Sequence, residues 1–261
     1  MSRSNRNMIN QIACSKIQDL DVKIQPNSVS LSIVALPTRH DFKKNIKESF
    51  RTLLNEISKI TKIGGVCCFI TSSDKYGNSE SMDLSQMTTL LDLQNESEIK
   101  EEWIFYDKIL WSKSPKDSII SLNPLEEITM VDFEQTPFST IDILIKNKNN
   151  GIFDENTIPQ RIQKLKITQA KKDEMLDSFW YIIPESDRGY QDHLPKELIA
   201  RLVLLCSNQN DIVLDPFAGH CVTALVCKSL RRNFICLIQN QAELETVKER
   251  ISKEEFENDC K

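Results

Sequence analysis

Apolar positions along this chain fall into two patterns, short continuous runs and stripes at helical spacing, and the two alternate. Residues 211–216 read Asp-Ile-Val-Leu-Asp-Pro, a β-branched run that predicts a buried strand. Phe217-Ala-Gly-His220 is the turn after it, and residues 221–230 continue as an apolar helix. Residues 233–238 (NFICLI) predict a second buried strand. Residues 241–253 predict a helix with Leu244, Val247 and Ile251 on one face. Strand, helix, strand and helix in close succession imply parallel strands joined by right-handed crossovers. The N-terminal half repeats the alternation. Residues 29–36 (VSLSIVAL) predict a strand stopped by Pro37, and residues 45–62 an amphipathic helix carrying Phe50, Leu53, Leu54, Ile57 and Ile60. Ile63-Gly64-Gly65 reads as a turn before a strand at 66–70; residues 104–111 and 141–145 complete the candidate strands, and residues 195–206 form a helix.

Composition narrows the class. At 261 residues, with 40% apolar and 27% charged content, the chain suits one large soluble α/β domain. Its longest apolar runs, such as 199–206, are far too short to cross a bilayer, and the polar N-terminus has no signal-peptide core. An intracellular location, cytoplasm, nucleoid or nucleus, is therefore expected, with no membrane partner. The eight cysteines lie mostly inside strand-like or helix-like runs and form no CxxC pair, so reduced, buried thiols are expected, not zinc ligands or a redox dithiol. Three histidines, at 40, 193 and 220, are too scattered to suggest a metal site. A net charge of −5 argues against a protein that grips nucleic acid unaided, because phosphate neutralisation needs a basic face. Two stretches read as insertions: residues 72–102, rich in Ser, Asn and acidic residues, and residues 146–172, which carry seven Lys or Arg against Asp154 and Glu155.

DIVLDPFAG, preceded by HLPKELIARLVLLCSNQN and followed by RRNFICLIQN, resembles the cofactor half of the β-class N4-cytosine/N6-adenine DNA methyltransferases. Upstream segments are in register with the same family. Residues 27–38 (NSVSLSIVALPT) sit where it has a catalytic strand and (S/D)PPY loop. Residues 60–66 match its LKPGG turn, Ile109-Leu-Trp-Ser-Lys113 its iiWdK strand, and Phe179-Trp180-Tyr-Ile its vW.i element. Catalytic elements precede cofactor elements, the circularly permuted order. The resemblance spans roughly residues 8 to 253. It implies a doubly wound, Rossmann-like S-adenosylmethionine methyltransferase fold, α/β, with a mostly parallel seven-stranded sheet. It divides the single domain into a catalytic-loop half (1–145), a basic insertion (146–178) and a cofactor half (179–261).

What the resemblance implies for the site is degraded. Asp215, Pro216, Phe217, Ala218 and Gly219 match the donor-binding turn, but the Ser-Gly-Thr-Thr that should follow reads His220-Cys221-Val222-Thr223, with Cys221 in place of a glycine. A side chain there either narrows the methionine hollow or is tolerated by a small backbone shift. Ile238 stands where a carboxylate should accept the ribose hydroxyls, with Gln239 a weaker neutral acceptor one residue on; Ala13 stands where an aspartate should hold the adenine. In the catalytic loop, Ala35, Leu36, Pro37 and Thr38 keep one proline but lack the acceptor for the target amine and the ring that stacks on a flipped base. Each such loss costs about 1–3 kcal/mol, so two would slow chemistry by roughly 10²- to 10⁴-fold.

The expectation is a non-catalytic methyltransferase-like subunit that pairs with an active amino-methyltransferase and shares its DNA. It would bind no cofactor tightly. Arg161, Lys164, Lys166, Lys171 and Lys172, placed where the family has target recognition, are the candidate nucleic-acid contacts or else a solvated helix face. Trp103, Trp111 and Trp180 read as packing residues. Two alternatives stay open: a divergent working methyltransferase using S-adenosylmethionine, and an interaction or regulatory protein with no nucleic-acid role.

Overall fold

Eight strands hydrogen-bond into one sheet, in the order β1-β8-β7-β2-β3-β5-β4-β6. The structure is a computed structural model and describes residues 8–35, 46–72, 89–90, 92–93, 95–112, 138–147, 157–183 and 194–259. The strands are β1 (Gln11–Cys14), β2 (Val29–Ala35), β3 (Thr61–Ser72), β4 (Trp103–Ser112), β5 (Phe138–Lys146), β6 (Phe179–Tyr181), β7 (Ile212–Asp215) and β8 (Asn233–Ile238). Only β5 runs antiparallel, to both β3 and β4; every other pairing is parallel. The sheet has one strand more than the seven expected. Its edges, β1 and β6, are four and three residues long, too short to display a period of their own.

Helices cover both faces, which makes the domain doubly wound. One face carries α1 (Leu20–Lys23), α2 (Ile46–Ile60) and α3 (Ser97–Glu102), whose Leu20, Ile24, Phe50, Leu53, Leu54, Ile57, Ile60 and Ile99 pack on Val34, Phe69, Leu144 and Leu214. The other carries α4 (Thr157–Gln163), α5 (Gln169–Leu176), α6 (Lys196–Cys206), α7 (Val222–Ser229) and α8 (Gln241–Asp259), packed on Leu31, Ile33, Val213 and Cys236. The alternating residues of β2 divide between the two cores, as a strand buried on both faces requires.

The Ile63-Gly64-Gly65 turn lies inside β3. Val29 of β2 pairs with Thr61 while Leu31 pairs with Val66, so the extra residues loop out as a bulge within the strand. Gly64 adopts φ +72°, and a Cβ on Gly65 would lie 2.6 Å from a Thr61 methyl and 2.7 Å from the Lys62 carbonyl oxygen. Both glycines are needed for this geometry.

Three residues of the basic segment 146–178 pack into the core. Ile158 and Ile162 of α4 and Met175 of α5 are buried in the same cluster as α6. Beneath them Arg201, only 3% exposed, hydrogen-bonds Glu174 and Glu197 and lies 5.3 Å over the Trp180 ring. Trp103, Trp111 and Trp180 are all buried, in keeping with their reading as packing residues. Of the seven described cysteines six are buried, and all seven are free thiols. Burial pushes the Cys227 thiol up to about 12 and raises Cys67 as well, which makes these groups poor nucleophiles.

Burial opposes ionisation of Glu174 and Glu197, yet hydrogen bonds from Arg201 and Lys171 hold both below the usual carboxylate range. A depressed carboxylate contributes stability above its unfolded pKa and loses it as pH falls through the folded value. Arg201→Ala should therefore cost about 1–3 kcal/mol in urea unfolding at pH 7, because it removes a buried cation from two half-exposed partners. The deficit should shrink as the pH drops below about 4, near the ordinary glutamate value; a deficit constant through that range would contradict the ion-pair account.

Candidate cofactor site at the switch point of the sheet

From β7 the chain crosses through α7 to β8 on one side; from β2 it crosses through α2 to β3 on the other. The two crossovers diverge between β7 and β2, and the crevice beyond the carboxyl ends of such a pair is where open α/β sheets take ligands. Four strand ends meet along this rim. Ser32 pairs with Leu214, Asp215 with Cys236, and Ile238 with Cys14, so Ala35, Asp215, Ile238 and Cys14 terminate neighbouring strands.

Asp215 organises the turn that leaves β7. One carboxylate oxygen accepts the Phe217 amide at 3.2 Å and the other accepts the Thr223 hydroxyl at 2.6 Å. The two bonds tie the start of the turn to the first helical turn of α7. The carboxyl is fully buried, and desolvation raises its pKa to about 6 even though both hydrogen bonds favour the charged form. Below it the Ala218 amide donates to the Leu237 carbonyl at 3.0 Å, and the Gln239 side-chain amide donates to the Pro216 carbonyl at 3.1 Å. The turn is thus pinned to β8 from both ends.

Gly219 has φ +45°, and a Cβ built there would meet only the Phe217 carbonyl oxygen, at 4.0 Å. Cys221, at φ 56° and ψ 34°, is in the left-handed region that favours glycine and costs another residue about 1 kcal/mol. The Cys221 side chain is fully buried in the same core as Cys236, and its thiol donates to the Gly219 carbonyl oxygen at 4.0 Å.

The polar deficiencies are plain in the geometry. Ile238 is 1% exposed and belongs to the same core as Cys236, so no carboxylate stands at the end of β8. Ala13 packs against the opposite core. Gln239 is exposed, but its amide nitrogen is engaged by Pro216, leaving the side-chain oxygen as the acceptor at this position. Ala35 is half-buried at the end of β2 against the α6 core; Leu36, Pro37 and Thr38 lie outside the described residues. Neither Ile238 nor Ala13, the side chains expected near an adenosyl group, carries a hydrogen-bond acceptor. Among the described residues no three His, Cys, Asp or Glu side chains gather as metal ligands would.

Three of the five basic candidates have partners within the protein. Arg161 donates to the Leu205 carbonyl at 3.3 Å, Lys172 to the Gln163 carbonyl at 2.8 Å, and Lys171 pairs with Glu174 and Glu197 at 3.0 and 3.2 Å. Lys164 and Lys166 are exposed. Two structural residues escaped the sequence reading. Thr223 carries only the faint signal of a hydroxyl in the first turn after the Asp-Pro turn, and Arg201 that of a lone charge in an apolar helix.

A doubly wound sheet with one antiparallel strand, and an Asp-Pro-Phe turn opening a helix at its switch point, defines a methyltransferase-type domain. The comparison with solved structures agrees. A Thermus thermophilus protein named as a putative DNA modification methylase superposes with a TM-score of 0.67, 17% identity and 94% coverage of each chain. PvuII DNA methyltransferase (cytosine-N4-specific) superposes at 0.63, with 13% identity, 94% of this chain and 88% of that one. Residues 39–249 match the DNA methylase family, and the chain belongs to it. Among curated relatives, the type II methyltransferase M.HpaI of Haemophilus parainfluenzae is 43% identical over 60 residues, 23% of this chain and 19% of that protein. M1.MboII of Moraxella bovis is 54% identical over 41 residues, 16% of each. The matched segments thus cover less than a fifth of these relatives' length. Among the described residues no helix is long and apolar enough to cross a membrane.

Asp215 generates a pH signature. Its folded pKa, about 6, lies above the ordinary 3.8, so its contribution to stability is full below 3.8 and is lost as pH rises through 6. The loss amounts to about 3 kcal/mol. Asp215→Asn should remove that decline from urea-unfolding free energies measured across the same interval and up to neutral pH. An unchanged slope in the variant would mean that the carboxyl is not desolvated as described.

Proposed function

We propose that this chain is a non-catalytic DNA methyltransferase-like subunit that pairs with an active amino-methyltransferase and supports its hold on DNA. The observation that carries the reading is Ile238: buried and apolar, it ends β8 where a donor's ribose would need a carboxylate. Ala13 on the neighbouring strand supplies no polar group either, and Ala35 ends the strand from which the catalytic loop departs. The framework around these positions is intact, with Asp215 holding the turn and both cores closed. A protein that keeps the scaffold while lacking the ligand's partners is suited to binding other macromolecules. Of the five basic candidates, Lys164 and Lys166, exposed on the α4–α5 connection, are the ones left to face DNA in a shared complex.

Loss of a charged acceptor for two hydroxyls removes about 3 kcal/mol, roughly a hundredfold in affinity. Calorimetry of the pure chain with S-adenosylmethionine should show no micromolar binding. Ile238→Glu, or Gln239→Glu as the surface-exposed alternative, should strengthen binding by about tenfold or more, which is about 1.4 kcal/mol. Micromolar affinity in the unmodified chain would end the silent-subunit reading.

One observation favours the second reading, a divergent working methyltransferase: the turn after β7 keeps its hydrogen bonds to Asp215 and to β8. Transfer of tritium from labelled S-adenosylmethionine to DNA or RNA by the pure chain would establish it. For the leading reading the expected result is no label above background. DNA retention by the complex should also weaken on Lys164→Ala/Lys166→Ala, with a salt dependence shallower by about one unit for each phosphate no longer neutralised. Retention unchanged by the double variant would place the DNA elsewhere.

A further inference from the structure

No further inference is drawn: the strongest candidate, the aromatic corner of the sheet where Phe179 and Tyr181 stand side by side on the β6 edge, has its nearby cation Lys108 already neutralised by Asp142, and nothing in the structure shows what covers it.

Discussion

The reversal of strand order between β7 and β2 is the constraint from which the rest of the site follows. Right-handed crossovers place α7 on one face and α2 on the other, so the chain leaves the two central strands in opposite directions. A crevice opens where they part, and backbone from the turn after β7 lines it. Among the described residues the ends of β1, β8, β7 and β2 lie along this rim, beside the turn after β7. The identities of a few terminal residues decide what the crevice can hold.

Those terminal residues separate into two sets. Asp215, Thr223, Ala218 and Gln239 hold the turn in place through hydrogen bonds within the protein. They are all present, and Asp215 is retained despite the desolvation that lifts its pKa to about 6. Ile238 and Ala35 end their strands and Ala13 lies one residue before the end of β1, and none of the three side chains carries a hydrogen-bond acceptor. Cys221, in the same turn, is buried with its backbone in the left-handed region.

Charge in the α4–α5 region shows a similar division. A run of lysines and an arginine looks like a polyanion-binding stripe when read linearly. In three dimensions α5 lies beside α6, and Glu174 and Glu197 draw in Lys171 and Arg201 while backbone carbonyls take up Arg161 and Lys172. Helix ends expose carbonyl oxygens that need donors, and nearby cations satisfy them before any partner arrives. Lys164 and Lys166 stay exposed because they lie on the connection between the packed helices, not on a face that meets α6.

The alternation of apolar runs and helical stripes was sufficient to place six of the eight strands, the parallel βαβα unit at 211–253 and the amphipathic helix expected over 45–62 and found at Ile46–Ile60, because burial on one or both faces imposes a period that residues display locally. The apolar residue at 238 and the alanines at 13 and 35 were equally legible, since a missing carboxylate needs no geometry to be noticed. Only tertiary structure decided that Cys221 is buried with a left-handed backbone, which cations stay exposed, that β1 and β6 extend the sheet, and that Asp215 is buried between Phe217 and Thr223. Each of those depends on contacts between segments far apart in the chain or on a single backbone dihedral, and neither leaves a periodic trace in the order of the residues.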